Sequence, residues 1–419
     1  MRMYRASSIF YWILSVTLIF GVAFAAYIPK AASTSLILAS IVSVIAVIRN
    51  SWPRKEPILF ISGFIAPISA IFIASLIRGE FTAREFDSAS RLLLGIPLFL
   101  YLIKQNRSSN NKLISGLVVA LILAGVFVDP NKTEFYGNRY ATAYADVNSL
   151  AAILVTFLAI TVHYLLNQTF RNSTLFYLML SGVFIGGYIL AKTGARGPIL
   201  VFFITLFLIF ALYIKDNKCR AFGRTSIVLA TLLIPPFLLF LNDHTFQQRI
   251  YSIATEIFDL TEKTDSTETS SGIRLSMLKL SLGLFLEKPV AGWGDIRYST
   301  EINDSIFSAG VSSPVIQATQ LGGPHNEFAA RALNSGSFGL VASLFFHFLP
   351  ILLLFQKKHA RLRSGFAVKQ ALVLISTLFL LGFTLETFSL KYMTSLNTIL
   401  LAVVLSEAYK ERSRDTKSV

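Results

Sequence analysis

A single cysteine, Cys219, stands among 419 residues, which excludes an internal disulfide and any cysteine-rich metal or iron-sulfur site. Charge is scarce as well. Only 15% of the residues are Asp, Glu, Lys or Arg, against about 25% in an ordinary soluble domain, too few to cover a water-facing globule. The chain has no Walker loop, dinucleotide fingerprint or zinc motif, and no two histidines make a metal pair at helical spacing, so neither ATP chemistry nor a metal or other cofactor is expected. There is no internal repeat. What remains is apolar, 54% of the chain, and this composition describes an integral membrane protein, not a disordered, collagenous or disulfide-stapled one. The net charge of +15 points to basic cytoplasmic loops and not to nucleic acid.

A spanning helix needs about 20 mostly apolar residues. Twelve such segments are separated by polar breaks, over residues 9–28, 31–48, 57–77, 88–103, 113–128, 149–166, 174–191, 197–214, 225–241, 336–355, 368–386 and 392–409. The expected fold is therefore all-α, a polytopic membrane protein of about 12 helices with one large loop. Pro97 and Arg91 make the fourth segment the weakest. The N-terminus, with Arg2, Arg5 and Ala23-Phe24-Ala25, resembles a signal peptide, but its apolar stretch exceeds the usual 7 to 15 residues and reads as a retained helix.

Lys and Arg cluster near Arg2, Arg54, Lys104 to Lys112, Lys215 to Arg224, Lys357 to Lys369 and Lys410 to Lys417. By the positive-inside rule these segments are cytoplasmic, as are both termini. The loop at Arg171 and the outer turn with Lys192 and Arg196 fit the rule least well. The chain then divides into helices over 1–241, a large outer loop over 242–335, and helices and tail over 336–419. Within the loop, residues 273–286 read as a helix lying at the interface or on the bundle, stopped by Pro289 and Gly292-Trp293-Gly294, while 261–271 read as a mobile tip.

Four outer features carry polar chemistry: Gly137-Asn138-Arg139-Tyr140 with Asn148 following, the turn Lys192-Thr193-Gly194-Ala195-Arg196-Gly197-Pro198, Arg274, and Gly322-Gly323-Pro324-His325-Asn326-Glu327. Arginine near a bilayer is costly unless something anionic pairs with it. Two arginine forks from separate segments suit a pyrophosphate. The plainer alternative is that Lys192 and Arg196 snorkel to headgroups and Arg274 makes a surface ion pair. His325 is able to accept a hydroxyl proton near neutral pH, with Asn326 and Glu327 placed to hold its ring, or it is a solvated loop residue. His163 and His347 lie in apolar stretches and read as packing residues; His244 and His359 read as surface residues.

The strings Thr193 to Pro198, Gly272-Ile273-Arg274 leading to Gly292-Trp293-Gly294, and Pro324-His325-Asn326-Glu327-Phe328 followed by Gly336 and Gly339 resemble the bacterial O-antigen ligase and polymerase superfamily. The resemblance implies twelve helices with a large periplasmic loop, in the inner membrane. It implies a glycosyltransferase whose donor is a polysaccharide on undecaprenyl pyrophosphate and whose acceptor, in the ligase branch, is a lipid A core sugar. By the same resemblance Arg196 and Arg274 match pyrophosphate-binding arginines and His325 the base, acting without a metal and with inversion at the anomeric carbon. Arg139 matches less well, because Val147 stands where the family often has proline before Asn148. Lys192, Asn326 and Glu327 complete the expected substrate-binding set, and a membrane-facing groove near segment 197–214 is expected for the lipid tail. The ligase is the first expectation. The polymerase, which extends lipid-linked repeats, is the alternative, and a polysaccharide flippase is disfavoured because the basic residues gather on one face and not near the midplane.

Overall fold

The computed structural model describes residues 2–48, 57–105, 107–167, 173–216, 221–244, 246–248, 251, 270–295, 315, 323–355 and 365–415. Gly322, His359, most of the polar tip over 261–271 and several of the basic loops lie outside the described residues.

The described chain is all-helical, with one isolated bridge between Val128 and Thr142 and no strand among the described residues. We number the helices α1 (Arg2–Ala23), α2 (Ala31–Ile48), α3 (Ile58–Arg78), α4 (Ala83–Lys104), α5 (Asn110–Leu123), α6 (Pro130–Phe135), α7 (Val147–Asn167), α8 (Ser173–Thr193), α9 (Arg196–Asp216), α10 (Ala221–Asn242), α11 (Ser270–Glu287), α12 (Glu327–Phe355), α13 (Phe366–Gly382) and α14 (Lys391–Asp415). Each of the expected apolar segments falls on one of these helices. Eight are long and apolar enough to cross a membrane, and the apolar parts of α1, α5 and α13 are shorter.

Helix α7 is mostly apolar, which alone would suit either lipid or other helices, but Thr156, Thr161 and His163 along it are polar side chains that face the bundle interior. Its whole apolar window is buried, packed by α5, α8, α9, α10 and α13. The other side of the molecule is built by α14 against α4 and α2, and by α12 against α3. His163 on α7 stacks on Phe366 at 5.1 Å, and His347 on α12 donates from Nδ1 to the Ser343 carbonyl at 2.8 Å. Both are buried packing histidines.

Two boundaries differ from the sequence expectation in an instructive way, and one helix stands where it was expected. Helix α4 starts at Ala83 and runs through Pro97 without ending. Helix α11 occupies the stretch expected to lie at the interface. Helix α12 begins at Glu327, inside the expected loop, and is broken at Ser335 and Gly336, where the backbone leaves helical geometry. Gly336 reads in the sequence as the start of a span; in the structure it is the hinge of a longer helix.

That break has a physical cause. It frees the Leu333 and Asn334 carbonyls from their helical partners, and the loop after α11 takes them: Trp293 N donates to Leu333 O at 2.7 Å and Gly294 N to Asn334 O at 3.0 Å. Ser337 N donates in return to Pro289 O at 2.7 Å. Gly292 and Gly336 both have positive φ, and a Cβ on either would run into the other segment's backbone. The Gly-Trp-Gly turn is thus a plug for a broken helix, and it fastens α11 to α12. Beside it, Met277, Leu280, Leu284, Trp293 and Leu333 form a second small core.

Candidate functional site

The residues singled out in the sequence come together at one end of the bundle, each held by a short, strongly bonded segment. The first is the turn between α8 and α9. Arg139 donates from Nε to the Thr193 carbonyl at 2.8 Å and from Nη2 toward the Gly194 carbonyl at 3.5 Å, and Tyr140 N donates to Lys192 O at 3.2 Å. A cation at a helix C-terminus satisfies carbonyls that lack partners. Arg139 therefore ties the 137–142 segment to the turn, with Asn138 at a φ of 60°. Lys192 pairs with Asp243 just beyond α10 and sits 5.3 Å from the centre of the Tyr140 ring. Asp146 caps α7, accepting from Asn148 N at 2.9 Å, Ser149 N at 3.1 Å and Ser149 Oγ at 2.6 Å.

Arg196, the first residue of α9, is half-buried, and the next residue, Gly197, is pressed against Thr384; a Cβ there would meet the Thr384 Cβ at 2.8 Å. Arg274, in the first turns of α11, is half-buried and lies within electrostatic reach of Arg196. Burial first, and then the Arg196 charge, pushes its guanidinium below the ordinary arginine value, although an arginine stays charged.

His325 sits immediately before α12 with φ at 50°, an unusual backbone state for a residue with a side chain. The turn is held on both sides. Gly323, at φ 70°, lies against the Glu386 carboxylate where no Cβ would fit. Asn326 caps α12, accepting from Phe328 N and Ala329 N at 3.0 Å each. Glu327 is buried; its Oε1 accepts from Arg331 Nε at 2.6 Å and its Oε2 from Phe388 N at 2.9 Å, while Arg331 donates from Nη2 to Phe388 O at 2.8 Å. The hydrogen bonds of Asn326 and Glu327 thus hold the start of α12. Phe328 locks the same turn into an aromatic group, 4.8 Å from Phe383 and 5.3 Å from Phe379.

Burial, and second the Arg274 charge, hold the His325 imidazole below its usual value, with the Asp146 charge opposing. The ring is therefore neutral at physiological pH and able to accept a proton. A neutral imidazole and two guanidiniums within reach of each other's charge share one half-buried site. Among the described residues no group of three or more His, Cys, Asp or Glu side chains could hold a metal ion.

The segment between α13 and α14 belongs to none of the motifs read from the sequence. Thr384 fills the space beside Gly197, Glu386 the space beside Gly323, and Phe388 bonds Glu327 and Arg331. One short stretch thus registers the Arg196 turn against the His325 turn. Only the polar Thr384 and Glu386 in an apolar region could have drawn attention to it.

Residues 181–346 match the O-antigen ligase family, a segment that contains Arg196, Arg274 and His325 and the Gly336 of the α12 break. The resemblance read from the motifs holds over that segment. An uncharacterized protein of Haemophilus influenzae is 25% identical over 288 residues, covering 67% of this chain and 68% of that protein.

Proposed function

Starting from that family match, we propose that the chain is an O-antigen ligase of the bacterial inner membrane, transferring polysaccharide from undecaprenyl pyrophosphate to a lipid A core sugar at the periplasmic face. The observation that carries the proposal is the arrangement of Arg196, Arg274 and His325. Two guanidiniums within reach of each other in a half-buried site raise each other's cost, and a polyanion between them turns that repulsion into attraction. A pyrophosphate supplies the charge and the geometry that two planar forks fit.

The chemistry follows from the same placement. As the anomeric carbon–oxygen bond to the pyrophosphate breaks, negative charge grows on the leaving group, so arginines already aimed at it favour the transition state over the ground state. The neutral His325 takes the proton of the incoming acceptor hydroxyl, whose oxygen forms the new bond from the opposite face and inverts the carbon. Arg196 and Arg274 bind the donor. Arg139 and Lys192 hold the α8–α9 turn, and Asn326 and Glu327 hold the histidine, a positioning role that their hydrogen bonds support. Leu200, Phe203 and Phe207 lie exposed along α9 below Arg196, a surface suited to the polyprenyl tail.

A polymerase would use the same donor, so the acceptor decides. Purified protein is given lipid-linked polymer with lipid A core, or lipid-linked repeats alone. Polymer joined to the core supports the ligase. Longer lipid-linked chains without core would make the protein a polymerase, and no new glycosidic bond in either mixture would make it neither.

A further inference from the structure

Arg78, the last residue of α3, belongs to none of the motifs above, yet its side chain is only 9% exposed and makes four hydrogen bonds. From Nη1 it donates to the Ala291 carbonyl at 2.6 Å and the Asn334 carbonyl at 2.9 Å. From Nη2 it donates to Glu85 Oε2 at 2.5 Å and more loosely to Ser75 Oγ at 3.3 Å. Glu85, 6% exposed, is fixed in turn by Thr82, which donates from Oγ1 to Oε1 at 2.5 Å. Gly294 leaves the necessary room: a Cβ there would come within 3.3 Å of the Glu85 carboxylate and 3.5 Å of Arg78 Nη2.

The two carbonyls that share Nη1 belong to the two elements that carry the proposed chemistry. Ala291 is in the loop that closes α11, the helix of Arg274; Asn334 is at the break of α12, the helix that starts beside His325. The Gly-Trp-Gly plug fastens these elements to each other, and Arg78 fastens the junction to α3. Arg274 stands 13 residues before the end of α11 at Glu287, a lever of about 20 Å at 1.5 Å per residue. A tilt of about 5° at the fastened end would then carry Arg274 by roughly 1.7 Å, and a misplacement of about 1 Å can cost 10²-fold in rate. A buried arginine is an expensive strut. Its planar fork makes these bonds from two separate nitrogens held in one plane, a geometry that the single ammonium nitrogen of a lysine does not reproduce and an apolar residue lacks.

We propose that Arg78 is a positioning residue for transfer, setting Arg274 against His325 by clamping the Ala291 and Asn334 carbonyls to α3. This rests on the donor-binding role given to Arg274 above. The test measures donor KM and kcat in the full-length protein for Arg78→Lys, for Arg78→Met with Glu85→Met, and for each combined with Arg274→Lys. The Met pair removes both charges together, so no unpaired charge is left buried; if it does not accumulate, Arg78→Lys alone carries the test. Both Arg78 variants should raise donor KM and lower kcat at least tenfold per folded molecule, with melting within a few degrees of wild type. Combined with Arg274→Lys they should add less than about threefold to its loss, because both changes disable one contact. A purely structural role would leave KM unchanged per folded molecule and would make the losses multiply. Wild-type kinetics in Arg78→Lys, or multiplying losses, would overturn the proposal while a disabled Arg274→Lys kept the donor site intact. Full activity in Arg274→Lys would instead overturn the donor site on which it rests.

Discussion

Both ends of the helix bundle pair polar groups, and one of them also gathers two half-buried arginines beside a histidine. At the end that holds the C-termini of α4, α7 and α14, polar side chains are paired locally. Asn110 donates to Gln370 at 2.7 Å, Tyr164 to Asn111 at 2.9 Å, Lys410 to Glu407 at 2.7 Å, and Arg412 to the Leu353 carbonyl at 2.9 Å, while Glu411 accepts from Val368 N at 3.0 Å. These are opposite or complementary groups, and they join helix ends. At the other end the Lys192–Asp243 and Glu327–Arg331 pairs stand beside Arg196 and Arg274, which lie within reach of each other's charge, and His325 is held in a rare backbone state. The first pattern is that of a scaffold. The second suits the anion proposed above, because a strained backbone persists where the surrounding structure holds it.

The contrast is broken most sharply at His325. A positioned base contributes about 10² to 10⁴ in rate, so His325→Ala should lose nearly all transfer while still binding donor. His325→Gln keeps a hydrogen-bonding group without a usable base; near wild-type turnover in it would remove the base role. Arg196→Ala should fall nearly as far, with poor rescue by Arg196→Lys, which cannot grip phosphate with a fork. Steady-state kinetics on purified protein would check both.

Substitution at the α11–α12 junction should act on the fold and the site together. Gly336→Ala places a Cβ against the Val290 carbonyl at φ 61° and ψ −149°, which combines strain of roughly 1 to 3 kcal/mol, in a backbone state essentially restricted to glycine, with a backbone clash. It should lower the melting temperature and, in the folded fraction, the rate. At the opposite end Gln370→Leu leaves the buried Asn110 amide without its acceptor, at a cost of about 1 to 3 kcal/mol. Turnover per folded molecule should stay at the wild-type value. A large kinetic effect there would erase the distinction between the two ends.

The smallest effect is the pH profile. Burial and the Arg274 charge favour neutral His325, so the free protein loses its base only below pH 6.5. The acid limb of kcat/KM should therefore lie below 6.5, with a plateau above it. Bound pyrophosphate brings negative charge beside the ring and favours its protonated form, so the acid limb of kcat should lie higher than that of kcat/KM. Profiles with the reverse order, measured with chemistry rate-limiting, would count against the assignment.

Much of this architecture is legible in the chain because lipid imposes a simple code. Apolar stretches of spanning length fall on helices, although apolarity alone does not decide which helix is central. Arg196, Arg274 and His325 stand out because polar residues in short glycine-rich strings are rare in such a sequence. What is not legible depends on contacts between distant segments. Nothing near Arg78 points to a carbonyl 256 residues away, and nothing near Glu386 points to the turn it packs against. Gly336 shows the same limit: a glycine beside an apolar run marks a boundary, but only the docked 289–294 loop explains why the helix resumes beyond it. Arg139 was visible as an arginine, whereas its use as a cap for α8 depends on where Thr193 ends that helix.

The central claim is that the gathered arginines exist to hold a lipid-linked pyrophosphate during transfer. Its most direct test is the rate at which purified Arg274→Ala protein, reconstituted in bilayers, joins polymer from undecaprenyl pyrophosphate to lipid A core. The account predicts a loss of at least about 100-fold, the scale of one removed transition-state donor, in protein that melts like wild type. Transfer at the wild-type rate in that variant would contradict it.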